Sequence, residues 1–281
     1  MLGRSLMLSI KKIETQQDLS HLKAQYFASS ISALDGMWHF GFVPMAEHFG
    51  FYEEEVLTGF CCINDEGYIL QFYLAPQSNA SIRELFRLIV EQNSKVIQTH
   101  KGDIKGAFVS TAETAYLALC LDNAVSFKNN ALMYQQGARQ QGEVNIQMQR
   151  ATCAQIKQFV HFAAANIGAP EAWLTTYFTN LITRKELFGL WEGDTLLASG
   201  ECRLFDEYQT DYADLGMIVA QSERGKGLAT QVLKYLVKHA ETKGLRAICS
   251  TEMDNIAAQK AIVRAGFSAS HRIVQFEFES Q

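Results

Sequence analysis

Hydrophobic residues follow two different spacings along the second half of the chain. Residues 212–219 form a short apolar run of the kind found in buried strands, whereas in residues 228–243 the apolar positions recur every three or four residues, as in an amphipathic helix. The same criteria predict strands over 144–149, 188–191, 195–205, 247–251 and 273–278, and helices over 154–166, 171–185 and 255–265. This order predicts an α/β domain with a mixed central sheet flanked by helices.

The first half repeats this order more weakly. Strands are predicted over 55–63, 68–74, 104–109 and 131–134, and helices over 81–90 and 112–121. The polar segment 135–143 shows no hydrophobic periodicity and is the predicted linker. We therefore expect two tandem domains of one α/β (α+β) type, residues 1–138 and 139–281, each with a mixed sheet.

Composition narrows the class of protein. The chain has 281 residues, nearly half of them hydrophobic, and a formal net charge of -5, which argues against nucleic acid as a partner. No run approaches the ~20 apolar residues of a membrane span, and the apolar stretch within the first nine residues is too short for a signal peptide. We expect a cytoplasmic protein without a membrane partner. The histidines and carboxylates show no metal-ligand spacing, so no metal site is predicted.

The segment between the strand 212–219 and the helix 228–243 carries the strongest chemical signal. It reads Arg224-Gly225-Lys226-Gly227-Leu228-Ala229-Thr230. A glycine-spaced turn that opens a helix presents unpaired backbone N–H groups at the positive end of the helix dipole, which is a site for phosphate. Arg224 and Lys226 add positive charge at the same place.

Two nucleotide-binding loops fit this segment poorly. A Walker A loop requires a glycine where Ala220 stands and a Ser or Thr where Gly227 stands. A Rossmann loop requires a third glycine where Thr230 stands, and more chain after the loop than remains here.

The segment resembles instead the R/Q-x-x-G-x-G/A pattern of the GNAT superfamily of N-acetyltransferases. A strand precedes the loop and a helix follows it, as in that family. Downstream, Asn255-Ile256-Ala257-Ala258 and Ala265-Gly266-Phe267 are similar to the family's second signature, an Asn-capped helix that ends in Gly-Phe. The resemblance covers about residues 144–278. It implies a GNAT fold there and a degenerate GNAT-like domain in the first half, whose corresponding segment 74–81 contains no glycine.

The resemblance implies a set of residues that bind acetyl-CoA. The loop amides would hold the pyrophosphate, and the pantetheine arm would pair with the preceding strand, where a backbone N–H also stabilises the oxyanion. Asn255 would lie near the pantetheine and Lys260 near the phosphates. The full set is Met217, Ile218, Val219, Arg224, Gly225, Lys226, Gly227, Leu228, Ala229, Thr230, Asn255 and Lys260.

The proton chemistry departs from the family pattern. In many members a Tyr seven residues after the Asn protonates the leaving thiolate, and here that position is Ile262. Glu201 and Asp214, on the strands that flank the acceptor site in this family, are the candidate bases. Other candidates for acid or base are Glu252, Asp254, Tyr212, Tyr235 and His271, and the aromatic residues Trp173, Tyr177 and Phe178 are candidates for lining the acceptor site.

The sequence thus predicts an acetyl-CoA-dependent N-acetyltransferase that acts on a small-molecule amine by direct attack. The main alternative is a coenzyme A-binding sensor without turnover, favoured by Ile262; a nucleotide-binding protein that uses the same loop is the other. One cofactor site per chain is expected, and a homodimer is an open option.

Overall fold

The computed structural model describes residues 8–91, 103–137 and 142–279. They form two compact units, one comprising Met1–Ala131 and His271–Gln281 and the other Leu132–Ser270. The boundary that the sequence places between residues 138 and 139 stays a prediction. Residues 138–141 of the predicted linker and the first seven residues of the N-terminal segment lie outside the described residues.

The first unit contains an antiparallel run of strands followed by a helix–strand–helix segment. Its elements are β1 (Leu8–Ile13), α1 (Ser20–Ser29), β2 (Glu47–Glu53), β3 (Val56–Ile63), β4 (Tyr68–Leu74), α2 (Ile82–Val90), β5 (Gly106–Ser110), α3 (Thr114–Asn123) and the first part of β6 (Ala124–Gln136).

One parallel pair makes the sheet of the first unit mixed. The strands β1 to β4 pair antiparallel in sequence order, and β4 then pairs parallel with β5 at Tyr68–Gly106 and Ile69–Ala107. The helix α2 begins at Ser81, whose hydroxyl accepts the N–H of Glu84 as the sequence predicts. It packs its buried residues Phe86 and Ile89 on the sheet.

The second unit has the same kind of order. Its elements are β7 (Gln149–Arg150), α4 (Ile156–Ile167), α5 (Glu171–Thr183), β8 (Leu187–Glu192), β9 (Thr195–Leu204), β10 (Tyr212–Val219), α6 (Leu228–Glu241), β11 (Arg246–Glu252), α7 (Ile256–Arg264) and the first part of β12 (Phe267–Phe278).

The strands β7 to β10 form an antiparallel series, and β10 pairs parallel with β11. The apolar stripe of α6 is buried as predicted and covers one face of β9 and β10, whereas α4 and α5 form a separate core on the other. The predicted fold class, α/β with a mixed sheet flanked by helices in each of two units, is confirmed.

Three strand predictions differ from the structure, one of them being the strand predicted over 273–278, which begins earlier, at Phe267. The strand predicted over 144–149 forms only at Gln149–Arg150, because the alternating segment before it has no ladder partner among the described residues. The strand predicted over 131–134 begins earlier, at Ala124. Among the described residues, no helix combines the length and the hydropathy needed to cross a bilayer.

Candidate active site

The loop between β10 and α6 is here called the second-unit loop (residues 220–227). Its backbone turns tightly just before the helix begins. A short 3-10 turn, Gln221–Glu223, is followed by Gly225 with φ +80° and Gly227 with φ +82°. Only glycine adopts such angles without strain, so the alternating glycines fix the path of the backbone into α6. A Cβ at either position would meet no protein atom within 4 Å, so the space in front of the loop is open.

A run of backbone N–H groups faces this space. Within the described residues, the six consecutive N–H groups from Gly225 to Thr230 have no acceptor in the protein. Gly227 caps α6 without a side-chain acceptor, so the first-turn amides remain open at the positive end of the helix dipole. This is the arrangement in which helix N-termini bind phosphate.

The basic side chains of the loop have protein partners. The Arg224 guanidinium donates to the carbonyl oxygens of Asn166 at 2.9 Å and Val219 at 3.3 Å. Lys226 forms an ion pair with Glu223 at 3.0 Å. Asn166, which the sequence did not single out, also accepts the N–H of Gln221 through its side chain at 2.9 Å. Arg224 and Asn166 therefore hold the loop in shape, and the backbone amides are its open donors.

The strand β10 has an open edge immediately before the loop. Its parallel pairing with β11 runs from Tyr212–Arg246 to Asp214–Ile248, whereas its antiparallel pairing with β9 continues to Val219. The Ala220 N–H donates to the Leu197 carbonyl of β9, and the Arg246 N–H of β11 donates to the Asp211 carbonyl. Because successive backbone N–H groups of a strand face opposite sides, these two bonds fix the side that each N–H group of β10 faces. The N–H groups of Met217 and Val219 thus face the side that β11 has left, and that of Ile218 faces β9.

Asn255 and Lys260 lie on α7 beside this region. The Asn255 side chain accepts the N–H of Ala258 at 3.1 Å and caps α7, as predicted. The Thr230 hydroxyl donates to the carbonyl of Ala261 at 3.4 Å, which connects the first turn of α6 to α7 next to the exposed Lys260.

A buried ionic cluster lies on the opposite face of β10 from α6. Arg203 donates to Asp214 Oδ2 through Nε at 2.9 Å and through Nη2 at 2.5 Å, and it also donates to Glu201 Oε2. The Tyr177 hydroxyl of α5 donates to the same Glu201 oxygen at 2.7 Å and accepts from Arg203 at 2.8 Å. Glu201, Arg203 and Asp214 are 7%, 6% and 1% exposed, so their attraction is weakly screened.

The cluster sits directly over Gly216. A Cβ on Gly216 would lie 3.0 Å from both Glu201 Oε2 and Arg203 Nη1, so the absence of a side chain allows the ions to approach the strand. Gly216 belongs to the part of β10 beyond its pairing with β11. The cluster and the open edge therefore occupy the same stretch of strand.

The two candidate bases have different surroundings. Asp214 is almost fully enclosed and bonded to Arg203. Glu201 uses Oε2 for both of its hydrogen bonds, and in the described part of the chain its Oε1 accepts none. Trp173 stacks on Tyr177 with centroids 4.8 Å apart, and both are partly exposed, whereas Phe178 is core at 1% exposure.

The remaining acid and base candidates lie in structural roles or in solvent. Ile262 is 2% exposed within the core under α6, and the Tyr235 hydroxyl donates to the Met148 carbonyl at 3.1 Å. Tyr212 contacts Arg246, and His271 contacts Thr111 in the first unit. Glu252 and Asp254 are exposed.

Arg203 is the main residue that the sequence analysis missed. The signal was present, because β9 places two charged residues two positions apart, Glu201 and Arg203, on one face of an otherwise apolar strand. Charges at buried positions require partners, which points to a cluster rather than to isolated side chains.

Comparisons with known proteins agree with this geometry. Residues 15–137 match the acetyltransferase (GNAT) domain, and residues 156–267 match the acetyltransferase (GNAT) family. No curated protein sequence matches the chain.

Solved structures give the same assignment. An acetyltransferase from the GNAT family of Colwellia psychrerythraea is 62% identical, with a TM-score of 0.90 over 96% of this chain and 100% of that one. A GCN5-related N-acetyltransferase from Sphaerobacter thermophilus, 10% identical, superposes with a TM-score of 0.64 over 97% of this chain and 96% of that one. A tandem GNAT protein from the clavulanic acid biosynthesis pathway, 13% identical, also gives 0.64, over 98% of this chain and 100% of that one. The chain belongs to the GNAT acetyltransferase family.

Proposed function

We propose that the chain is an acetyl-CoA-dependent N-acetyltransferase that acts on a small-molecule amine, with one cofactor site, in the second unit. Family membership implies acyl transfer from acetyl-CoA. The observation that carries the proposal is the run of open N–H groups from Gly225 to Thr230, which lies next to the open edge of β10.

On the donor side, the two features match the two ends of coenzyme A. The amides from Gly225 to Thr230 would bind the pyrophosphate, with Lys226 and Lys260 adding positive charge nearby. The N–H groups of Met217 and Val219 would pair with the amide groups of the pantetheine arm, in the way that a strand is added to a sheet edge. When bound, acetyl-CoA supplies a thioester carbonyl that an amine can attack.

On the acceptor side, the ionic cluster provides the base. Glu201 and Asp214 carry two negative charges against the single positive charge of Arg203, so the site attracts an ammonium group. An amine of lysine type has a pKa of about 10.4 and must lose a proton before it attacks. We assign that proton to Oε1 of Glu201, directly or through one water, while Asp214 and Tyr177 hold Arg203 and Glu201 in position.

The leaving group does not require an acid from the protein. A thiol with a pKa of about 8.5 leaves readily as the thiolate. Solvent can protonate the thiolate after it has left. Ile262 is therefore compatible with turnover.

The test is the release of free thiol from acetyl-CoA by the full chain against a panel of primary amines, together with thermal melting. Coenzyme A at about one hundred times its Kd should stabilise the protein by about 2.7 kcal/mol. Release that depends on the amine supports the enzyme. Stabilisation without release on any amine would identify a coenzyme A sensor instead. Stabilisation by ATP or NAD but not by coenzyme A would contradict the proposal altogether.

A further inference from the structure

The first unit contains a cavity of about 380 Å³, a volume within the usual range for small-molecule sites. Its walls are mainly aromatic and apolar, and among the described residues none that lines it is basic. The residues that matter here are Tyr26, Phe72, Tyr73, Glu113, Ala115 and Tyr116.

The cavity is the counterpart, within the first unit, of the cofactor cleft. It lies where β4 continues beyond its short parallel pairing with β5, and residues of the turn between β4 and α2 line its edge. We call that turn the first-unit loop (residues 75–81). By its place in the repeat, it corresponds to the second-unit loop.

The first-unit loop already binds an anion that belongs to the protein. The Glu53 carboxylate accepts hydrogen bonds from the Ala80 N–H at 3.1 Å, from the Asn79 side chain at 3.2 Å and from the Ser78 hydroxyl. Glu53 thus occupies one backbone N–H and two side-chain donors of the loop, and its negative charge repels a second anion. Coenzyme A is therefore a poor ligand for this cavity.

One carboxyl group lies in the wall of the cavity itself. Glu113, just before α3, is 8% exposed. One of its oxygens accepts from the Tyr26 hydroxyl at 2.5 Å, and the other accepts from the Ser110 N–H at 2.8 Å. Each oxygen keeps a further lone pair, so the group can accept more hydrogen bonds. Burial raises the pKa of Glu113 to about 7, and no cationic side chain among the described residues forms an ion pair with it.

We propose that this cavity binds a small organic amine in its ammonium form. The Glu113 carboxylate is the counter-ion, and the rings of Tyr26, Phe72, Tyr73 and Tyr116 enclose the apolar body of the ligand. Aromatic faces attract ammonium groups, and a buried carboxylate without a cation gains most from one. This site is separate from the acceptor site of the proposed function and does not depend on it.

Calorimetric titration of the full chain with 2-phenylethylamine and its neutral analogue 2-phenylethanol tests the proposal. The amine should bind about tenfold or more tightly than the alcohol, because only the amine pairs with the carboxylate. Glu113→Gln should remove that preference, whereas Glu66→Gln, an exposed carboxylate of the same unit, should leave it intact. Equal affinity for the amine and the alcohol in the wild type, or an unchanged preference in E113Q, would overturn the proposal.

Two further variants separate this site from the second unit. Ala115→Phe places a ring at the exposed rim of the cavity and should block binding without disturbing the core. Glu201→Gln tests the alternative location, because the acceptor site of the second unit also attracts ammonium groups. The preference for the amine over the alcohol that E113Q removes should persist in E201Q. A preference that survives in folded A115F, or that is lost in E201Q and kept in E113Q, would place the ligand in the second unit and refute a site in the first.

Discussion

The two loops occupy the same place in two units of related fold and have opposite electrostatic character. Across the end of the second-unit loop and the first turn of α6, six N–H groups have no acceptor among the described residues, and the two glycines hold the backbone open. In the first-unit loop, which has no glycine, the Glu53 carboxylate accepts hydrogen bonds from the Ala80 N–H and from the side chains of Ser78 and Asn79. One loop is prepared for an external anion, and the other carries an internal one.

This difference shows how the same turn in a repeated fold can serve ligand binding in one unit and structural stability in the other. The amides of a βα turn must find acceptors, and a side chain or a ligand can provide them. When the protein provides the acceptor, the turn is stabilised and its affinity for phosphate is lost. When a ligand provides the acceptor, the amides stay unpaired in the free protein and remain available to bind that ligand. The predictions below test this contrast, from the largest expected effect to the smallest.

The largest effect is expected from Gly227→Glu. This variant places a negative charge against the proposed pyrophosphate site and a side chain at φ +82°, so we expect coenzyme A to bind at least about 1,000-fold more weakly, which corresponds to about 4 kcal/mol. Titration calorimetry measures the loss. The wild type should bind one coenzyme A per chain. Two binding sites per chain would contradict the contrast between the two loops.

Gly193→Glu is the matched control for this variant. Gly193 is an exposed turn residue with φ +58° and no neighbour within 4 Å of its Cβ position. The substitution introduces the same charge and a similar backbone strain, of about 1–2 kcal/mol, away from the loop. Coenzyme A affinity should remain at the wild-type value; a loss equal to that of G227E would mean that strain, not the anion site, explains both results.

The next effect concerns the pH dependence that Glu113 gives to the first unit. Its pKa is about 7 in the fold against a usual value of 4.5, so the folded state holds a proton that the unfolded state has released. Stability is therefore greatest below about pH 4.5 and falls as pH rises through about 7, by about 3 kcal/mol. The neighbouring titratable groups Tyr26, Cys62, Tyr116 and Cys120 stay protonated there, since burial raises the pKa of each.

Denaturant unfolding between about pH 5 and pH 8 measures this contribution. Glu113→Gln should flatten the decrease, because the amide does not titrate. Glu66→Gln should retain it. A wild-type profile identical to that of E113Q would show that Glu113 ionises normally in the folded protein.

A smaller effect is expected on the chemical step in the second unit. Glu201→Gln should lower kcat about 100-fold with little change in the KM for acetyl-CoA, because general bases typically contribute factors of this size. Asp214→Asn should instead reduce thermal stability, since it removes one of the two carboxylates that are paired with the buried Arg203. An unchanged kcat in E201Q would remove Glu201 from the mechanism.

The smallest effect is expected from Glu53→Gln. The amide still accepts from the first-unit loop but as a neutral group, so we expect a loss of about 1 kcal/mol in the free energy of unfolding. The interacting donors lower the pKa of Glu53, so the wild-type contribution is present at neutral pH and is lost as pH falls through that lowered value. Acid unfolding of wild type and E53Q measures the difference, which should vanish at low pH.

The sequence predicted the second unit well because its elements follow strong periods. The bounds of β10 are reproduced, α6 buries the predicted stripe, and Asn255 caps α7. In the first unit, β1, α1 and β2 were not predicted. The helix α1 shows why: its buried face includes Lys23 beside Leu22 and Tyr26, so the hydrophobic period is broken.

The candidate site was predictable only in part. The loop is one contiguous motif, so its place at the start of a helix could be recognised from the chain alone. The ionic cluster joins Tyr177 of α5 to residues of β9 and β10, and only the packing of helix on sheet brings them together. Alternating polar and apolar residues likewise predict an extended backbone but not the strand with which it pairs. This explains why the strand predicted over 144–149 forms only at Gln149–Arg150, where β8 is its neighbour.

The parting of β10 from β11 also has a consequence for solubility. An unpaired strand edge is ordinarily a template for self-association. Here the open stretch lies inside a sheet rather than at its margin, between the segments that lead into α6 and α7, and it spans only the five residues from Leu215 to Val219. A slender, extended ligand with amide groups can enter such a gap, whereas a strand of another chain would need the space of a full neighbour. The site thus exposes backbone hydrogen-bonding groups for its ligand without offering a surface on which chains aggregate.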